Sequence, residues 1–164
     1  MPFEVRAMSL LVECLSALHQ EEVAKLRRAL AMRAPVAAGS SQSEIASALG
    51  VSQPAVSQHL KAAQSVATAH PETLVEAAAP ILVEVARSSG FARLAVFGSV
   101  ARRQARADSD IDLLVEPPAD AGIKDVLALR DTFQAILGRP VDLVTYAGLR
   151  EGLDDDIRRE AVLL

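Results

Sequence analysis

Asp110 and Asp112 stand two residues apart in an apolar run, behind a Gly98-Ser99 pair and a basic segment. A carboxylate is costly to hold against apolar neighbours unless something pairs with it. Because alternate residues of a strand project to one face, these two carboxylates are expected to lie side by side, where a divalent cation would relieve their repulsion. Magnesium suits such oxygen ligands and usually binds a few carboxylates together with substrate phosphates. The pattern therefore predicts a site for magnesium and a nucleoside triphosphate.

A phosphate-binding turn and a third carboxylate complete this prediction. Gly98-Ser99 ends a predicted strand and opens a helix, a geometry that presents backbone N–H groups to a phosphate. Asp142 alternates with Val141 and Leu143 on the next predicted strand, so it could supply the third carboxylate. A pair of metal ions about 3.5–4 Å apart could then clamp the attacking and leaving oxygens of a phosphoryl displacement.

The acidic stretch that begins at Asp108 has two other interpretations. A calcium loop requires Gly at its sixth position and Glu at its twelfth. This chain has Leu113 and Ala119 there, so we reject a calcium loop. A solvated acidic start of a strand, without any metal, stays open on the spacing alone.

The succession of Gly98-Ser99, ten intervening residues and Asp110-x-Asp112 resembles the signature of the minimal nucleotidyltransferases, relatives of DNA polymerase β. The resemblance spans residues 78–164 and implies a metal-dependent nucleotidyltransferase. It implies that Asp110, Asp112 and Asp142 are the catalytic set and bind Mg²⁺, with two ions expected. It also implies that Gly98 and Ser99 contact the triphosphate of ATP, and that Asp142 helps to deprotonate an acceptor hydroxyl as general base.

Three more positions take their meaning from this resemblance. Arg102 matches the arginine that usually follows the Gly-Ser pair, and Ser109 matches the serine that precedes the first aspartate and holds the loop. Arg103 departs from the family, which commonly has Gly at that position. The arginine either extends the helix, adds a phosphate contact, or displaces the loop and impairs nucleotide binding.

The surrounding pattern predicts an α+β chain. Three strands are predicted, at 91–99, 110–115 and 140–146. Helices are predicted at 72–90, where Pro80 either kinks the helix or starts a second one, at about 99–105, at 121–138 and at 153–164. We predict an N-terminal all-α helix-turn-helix domain at 1–66 and a small α/β nucleotidyltransferase domain with a mixed sheet at 72–164. A linker at 65–71 would join them.

Residues 41–64 carry the pattern of a helix-turn-helix. Ser41 and Glu44 form a capping box, Gly50 permits a tight turn, and Ser52 caps the second helix. VSQPAVSQHLK resembles the recognition helix of bacterial repressors of the ArsR group, without their β-wing, although a generic helical hairpin could use the same turn. The resemblance places five residues at the major groove or at phosphates: Ser52, Gln53, Ser57, Gln58 and Lys61. Few cations line this helix, so DNA binding is expected to need a dimer.

Apolar residues recur at helical spacing through the N-terminal part, at Leu10, Leu11, Leu15, Leu18, Val23, Leu26 and Leu30. This pattern predicts helices that divide at His19-Gln20 and end in a turn at 34–41. Cys14 lies in the same apolar stretch and is expected to be a buried hydrophobe. In the hairpin, packing is predicted for Ile45, Ala46, Leu49, Val51, Val56 and Leu60.

Composition and charge limit the function classes. The 164 residues are 51% hydrophobic and carry a formal net charge of −4, which argues against a protein that coats nucleic acid generally. Residues 1–64 hold six Lys and Arg against five Asp and Glu, and residues 65–164 hold eleven against sixteen, which suggests two units with different partners. Neither a signal-peptide pattern nor an apolar run of about 18 residues is visible, so we expect a cytoplasmic protein without a membrane partner.

The combination of both motifs resembles helix-turn-helix nucleotidyltransferases that act as antitoxins against HEPN-type RNase toxins. This resemblance implies transfer of AMP from ATP to a tyrosine of the toxin, DNA binding for autoregulation, and either a homodimer or a hetero-oligomer with the toxin. Two alternatives stay open. One is a transcription regulator whose second half only senses nucleotide, and the other is a small-molecule nucleotidyltransferase of the aminoglycoside type.

Overall fold

The computed structural model describes residues 3–164, with side chains from Met8 onwards except that of Gln64. A helical N-terminal region precedes a small α/β unit, as predicted. The elements are α1 (Phe3–Ala37), α2 (Gln42–Leu49), α3 (Gln53–Ala62), a 3-10 helix (Ala63–Thr68), α4 (Pro71–Ser88), β1 (Ala92–Phe97), α5 (Gly98–Ala101), β2 (Ile111–Glu116), α6 (Ile123–Leu137), β3 (Val141–Thr145), a second 3-10 helix (Tyr146–Gly148), α7 (Asp155–Glu160) and β4 (Val162–Leu163). Among these described helices, none has the length and apolar character needed to cross a membrane.

The first helix, α1, is a single helix of 35 residues, so the predicted division at His19-Gln20 is wrong. Neither residue disturbs helical geometry, and the Nε2 of His19 lies 2.8 Å from Oε2 of Glu76 on α4. The helix also continues through Pro35, which stands in the last turn, where a missing N–H interrupts few backbone bonds. The predicted turn is therefore confined to residues 38–41.

The helix-turn-helix pair α2–α3 forms with the predicted caps. Ser41 and Glu44 make a capping box, and Gly50 adopts a left-handed φ of +65°. The Ser52 hydroxyl accepts a hydrogen bond from the Ala55 N–H. These local signals were strong in the sequence because each is satisfied within a few residues.

The hairpin has a small core of its own. Ile45, Ala46 and Val56 are buried as predicted, and they pack with the half-buried side chains of Met32 and Leu60. Leu49 and Val51 are exposed, contrary to the prediction. The reason is that the hairpin is covered by α1 along only one narrow stripe, so apolar residues outside this stripe face solvent.

Between α3 and β1 the described chain is helical and contains no strand, which agrees with the expected absence of a β-wing. The predicted linker at 65–71 is mostly a 3-10 helix that packs into the protein, because Val66 is only 1% exposed. Helix α4 then runs through Pro80 without a break, so a second helix does not begin there.

The four strands form a mixed sheet in the order β3-β2-β1-β4. Strand β2 is antiparallel to β1 and parallel to β3. The last strand corrects the sequence analysis, since α7 ends at Glu160 and Val162–Leu163 pair with β1 instead of extending a final helix. Two residues are too few for strand alternation to be visible in a sequence.

The main core lies between one face of the sheet and the helices α4 and α6, on which α1 packs. Ile111 and Leu113 are fully buried in it, as predicted from their alternation with the aspartates. Helix α1 contributes Val23, Leu30 and Ala34 to the same core, which is thus continuous across the predicted domain boundary. The opposite face of the sheet carries a smaller cluster: Ala95, Phe97, Leu114 and Leu149.

One side chain, Arg139, joins two segments that are distant in the sequence. Its Nη2 donates to the carbonyls of Ala67 (2.8 Å) and Ala69 (3.1 Å), which follow the helix-turn-helix. Its Nη1 donates to the carbonyls of Ala107 (3.0 Å) and Ser109 (2.8 Å), in the loop before β2. We call these four contacts the Arg139 clamp.

We expect Arg139→Lys to lower the free energy of unfolding by about 1–3 kcal/mol, because an ammonium group cannot reproduce a planar fork of charge-assisted hydrogen bonds to four carbonyls. Urea denaturation measures the change. Arg130→Lys is the matched control, since Arg130 pairs with exposed Asp131, and this substitution should cost less than about 1 kcal/mol. Equal losses in both variants would contradict a structural role of the clamp.

Candidate active site

Asp112 lies in β2, between β1 and β3. The strand register pairs it with Phe97 of β1 and with Asp142 of β3. Asp112 and Asp142 are therefore cross-strand neighbours on the same face of the sheet, and Asp110 stands one residue before the strand begins. Asp112 is half-buried, whereas Asp110 and Asp142 are exposed. The sheet thus brings the three predicted carboxylates together at the beginning of β2.

The charges of these carboxylates act on one another. Burial raises the pKa of Asp112, the charges of Asp142 and Asp110 raise it further, and Arg102 opposes them. Arg102 compensates the repulsion among the three carboxylates only in part. Carboxylate oxygens are ligands that magnesium prefers, so the chemistry of this donor set fits the ion. As the described side chains stand, no three or more His, Cys, Asp or Glu residues converge closely enough to hold a metal ion. The metal-ligand roles therefore stay a prediction.

Gly98 is the first residue of α5 and forms the turn that follows β1, as predicted, and a side chain there would be unfavourable for two reasons. Its φ is +69°, in the left-handed region. A side-chain carbon at this position would also overlap Oδ2 of Asp112. The aspartate side chain therefore lies directly against the backbone of the turn. Within the described part of the chain, no hydrogen bond engages the hydroxyl of Ser99, which is half-buried beside this turn.

Glu160, at the end of α7, is a site residue that the sequence analysis missed. Its Oε1 accepts a hydrogen bond from the Gly98 N–H at 2.9 Å, and its Oε2 lies 2.7 Å from Nη1 of Arg102. The Gly98 amide, which was predicted to face a phosphate, is therefore engaged by this carboxylate. Glu160 is brought to the turn by the pairing of Val162–Leu163 with β1, a strand too short to give a signal in the sequence.

Ser109 occupies the loop before the first aspartate and stabilises it. The Ser109 hydroxyl accepts from the Arg106 N–H at 2.8 Å, and the Ser109 N–H donates to the Arg106 carbonyl at 3.0 Å. The Ser109 carbonyl in turn accepts from Arg139. The sequence predicted that Ser109 holds the loop, but Arg139, which anchors the same loop from the turn between α6 and β3, was missed.

Arg103 adopts the backbone conformation that a glycine would normally supply. Its φ is +54°, and its N–H closes the turn on the Val100 carbonyl at 3.1 Å. Helix α5 ends at Ala101, so Arg103 does not extend it. The left-handed conformation costs a non-glycine residue about 1–2 kcal/mol. The turn at which the family commonly has Gly is therefore present, although an arginine occupies it.

Of the five residues predicted to face DNA, all but Ser57 are exposed, and Ser57 is half-buried. Two of them have intramolecular roles, since Ser52 caps α3 and Nε2 of Gln53 donates to Oε1 of Gln42 at 2.8 Å. Gln58 and Lys61 present their polar groups on the outer face of α3. Their contact with DNA stays a prediction.

We expect Asp112→Asn to raise the free energy of unfolding at pH 7 in the absence of metal, because it removes a half-buried charge that Asp142 and Asp110 repel. The native pKa of Asp112 lies above its ordinary value of 3.8. The gain is therefore present at neutral pH and disappears as the pH falls through the native pKa towards 3.8. Mg²⁺ should reverse the order, stabilising the wild type by about 1.4 kcal/mol at ten times its Kd.

Urea denaturation at several pH values, with EDTA or with Mg²⁺, makes this measurement. Asp120→Asn is the matched control, because Asp120 is an exposed carboxylate outside the site, and its response to Mg²⁺ should equal that of the wild type. A variant at Asp112 that is less stable than the wild type at pH 7 in EDTA, or equally stabilised by Mg²⁺, would contradict the expectation.

Comparisons with known proteins identify the families that this chain resembles. Residues 81–164 match the family model described as a nucleotidyltransferase domain, and residues 41–62 match the bacterial regulatory protein arsR family. A solved structure described as a minimal nucleotidyltransferase is 35% identical with a TM-score of 0.53, and the match covers 57% of this chain and 95% of that one.

Two curated relatives are named as protein adenylyltransferases. The one from Methanocaldococcus jannaschii is 35% identical over 81 residues, which are 49% of this chain and 87% of the relative. MntA of Thermococcus cleftensis is 32% identical over 103 residues, which are 63% of this chain and 93% of the relative. The family resemblance and the fold class drawn from the sequence are thereby confirmed. The chain belongs to the nucleotidyltransferase domain family and carries an arsR-type helix-turn-helix ahead of its transferase domain.

Proposed function

We propose that this nucleotidyltransferase transfers AMP from ATP to a hydroxyl group of a partner protein, in the manner of an antitoxin that modifies a HEPN-type toxin in the cytoplasm. The observation that carries the proposal is the placement of Asp112, which is paired with Asp142 across the sheet and lies against the Gly98 turn. The names of the relatives, protein adenylyltransferases, support a protein as acceptor.

In the proposed mechanism the side chains of this protein bind the nucleotide and accept one proton from the acceptor hydroxyl. Ser99 and Arg102 hold the triphosphate beside the Gly98 turn. Asp110, Asp112 and Asp142 would hold magnesium, which neutralises charge on the phosphates when it is bound. Asp142, the exposed member of the cross-strand pair, accepts the proton of the acceptor hydroxyl. The acceptor oxygen then bonds to the α-phosphorus, and the bond from that phosphorus to the bridging oxygen breaks as pyrophosphate leaves.

The test combines the protein with Mg²⁺, α-labelled ATP and the product of the neighbouring gene, followed by gel separation. We expect label on the partner, and a loss of at least about 100-fold in Asp112→Asn, because the transition-state charge loses its support. Asp120→Asn, on the exposed surface, should label at the wild-type rate.

The other outcomes separate the alternatives. Label on a free small molecule, with none on protein, would favour the small-molecule nucleotidyltransferase. Binding of ATP without release of pyrophosphate, in a folded protein given its partner, would favour the nucleotide-sensing regulator. Either outcome would overturn the proposed protein modification.

We also propose that the helix-turn-helix binds the promoter of its own gene as a dimer, through the N-terminal half of α1. Met8, Leu11, Leu15 and Leu18 are each more than half exposed and alternate in steps of three and four residues, the spacing of a helix seam that packs against a like helix. We call these four residues the α1 seam. Cys14, which was expected to be buried, lies on the same stretch of α1 and is exposed, so that expectation is wrong.

Within residues 3–164 no segment covers the α1 seam, because α4 does not extend far enough. The start of α4 lies beside His19, whose partner is Glu76, so the preceding turns of α1 project past it. A second copy is the occupant that fits, since a seam of heptad spacing is self-complementary. Two copies would also double the phosphate contacts of α3, whose described cations are only Lys61 and, when protonated, His59.

Leu11→Glu/Leu15→Glu should convert a dimer into a monomer and weaken binding to a promoter fragment by at least about tenfold, because half of the phosphate contacts are lost. Sedimentation equilibrium and a fluorescence titration at fixed salt measure both effects. Leu153→Glu, at an exposed leucine in the turn before α7, is the matched control. A monomeric wild type, or a seam that is needed only for binding the neighbouring gene product, would contradict the dimer.

A further inference from the structure

We infer that Glu160 is a positioning residue of the nucleotide site, holding the Gly98 turn and Arg102 in the arrangement that receives the triphosphate. The inference deepens the proposed function and rests on the triphosphate being held at this turn. Its basis is that one carboxylate contacts both groups, with its two oxygens 2.9 Å from the Gly98 nitrogen and 2.7 Å from Nη1 of Arg102.

The position of Glu160 follows from the pairing of the last strand. Val162 pairs with Val96, and Leu163 pairs with Ala95, in an antiparallel register. Because each step along one antiparallel strand matches a step backwards along the other, the same register continued by two residues sets Glu160 opposite Gly98. The pairing of β4 with β1 therefore places the Glu160 carboxylate beside the turn, on the side of β1 that faces away from β2.

The same pairing decides between two roles for this carboxylate. An anion on the Gly98 amide could be a removable occupant that ATP must displace, or a fixed support that remains when ATP binds. Ala161 packs against the smaller cluster of the sheet, and the Leu164 N–H donates to the Leu94 carbonyl at 3.0 Å. Since the residues that follow Glu160 are fixed in this way, withdrawal would break the strand, and the geometry favours a fixed support.

The environment of Glu160 keeps it charged for this task. Burial raises its pKa, but hydrogen bonds from Arg102 and from the Gly98 N–H lower it more, so that the pKa lies below its ordinary range. A single ionised carboxylate thus restrains the guanidinium that is to meet the phosphates. It also fixes the turn whose backbone lies against Asp112.

The two contacts can be separated by substitution. Glu160→Gln keeps an oxygen for the Gly98 N–H and loses the charge that orients Arg102. It should raise Kd and KM for ATP about tenfold, the effect of one charge-assisted hydrogen bond, while kcat at saturating ATP changes less than about threefold. Glu160→Ala also frees the turn against Asp112, so kcat should fall as well.

The experiment measures ATP binding by calorimetry with Mg²⁺, and labelling of the partner, for both variants. Glu151→Gln, an exposed glutamate in the loop before α7, is the control and should match the wild type. In an Arg102→Gln background, Glu160→Gln should cause little further loss, because the contact is already absent. Thermal unfolding confirms that Glu160→Gln folds.

Three kinds of result would overturn the inference. Tighter ATP binding in Glu160→Gln would identify a removable occupant. An unchanged Kd and KM in a folded Glu160→Gln variant, or losses that add fully in the Arg102→Gln background, would exclude positioning through Arg102. A wild type that binds no ATP would overturn the proposed function together with this inference, whereas the first two results would leave the proposed function in place.

Discussion

The Arg139 clamp is the interaction on which the candidate site most depends. A guanidinium group donates to carbonyls from residues 67–69 and from residues 107–109, two segments that are distant in the sequence. The second segment leads straight into Asp110 and β2. Because a planar fork fixes both distance and angle, the position of the first aspartate relative to the sheet is set by a residue that carries no chemistry of its own.

Much of the site could be predicted because its signals are local or periodic. Alternation along a strand was enough to place Asp112 opposite the core and beside Asp142. Glu160 and Arg139 escaped the prediction, since their contacts join residues 62 and 30–72 positions apart. The α1 seam escaped for a different reason, because periodicity reveals an apolar face without revealing what covers it.

Two left-handed residues lie at the start of α5 and just after its end, and the second is not a glycine. At Gly98 both the backbone angle and the nearby Asp112 oxygen disfavour a side chain. At Arg103 the backbone angle alone is unfavourable, which another residue tolerates for about 1–2 kcal/mol. A side chain at the first position would therefore add a second cost to the backbone strain, because it would have to displace the Asp112 carboxylate, a predicted site residue.

Helix α1 belongs to both halves of the protein. Met32 packs under the helix-turn-helix, whereas Val23 and Leu30 lie in the core of the transferase half, and Arg33 donates to the carbonyls of Ala135 and Ile136 on α6. The two motifs look like separate modules in the sequence, but both pack against the same helix, α1. Removing residues 1–62 would also remove the α1 side chains that lie in the core of the transferase half. An exchange of the DNA-binding part that preserves this core would therefore have to replace the α2–α3 hairpin and retain α1.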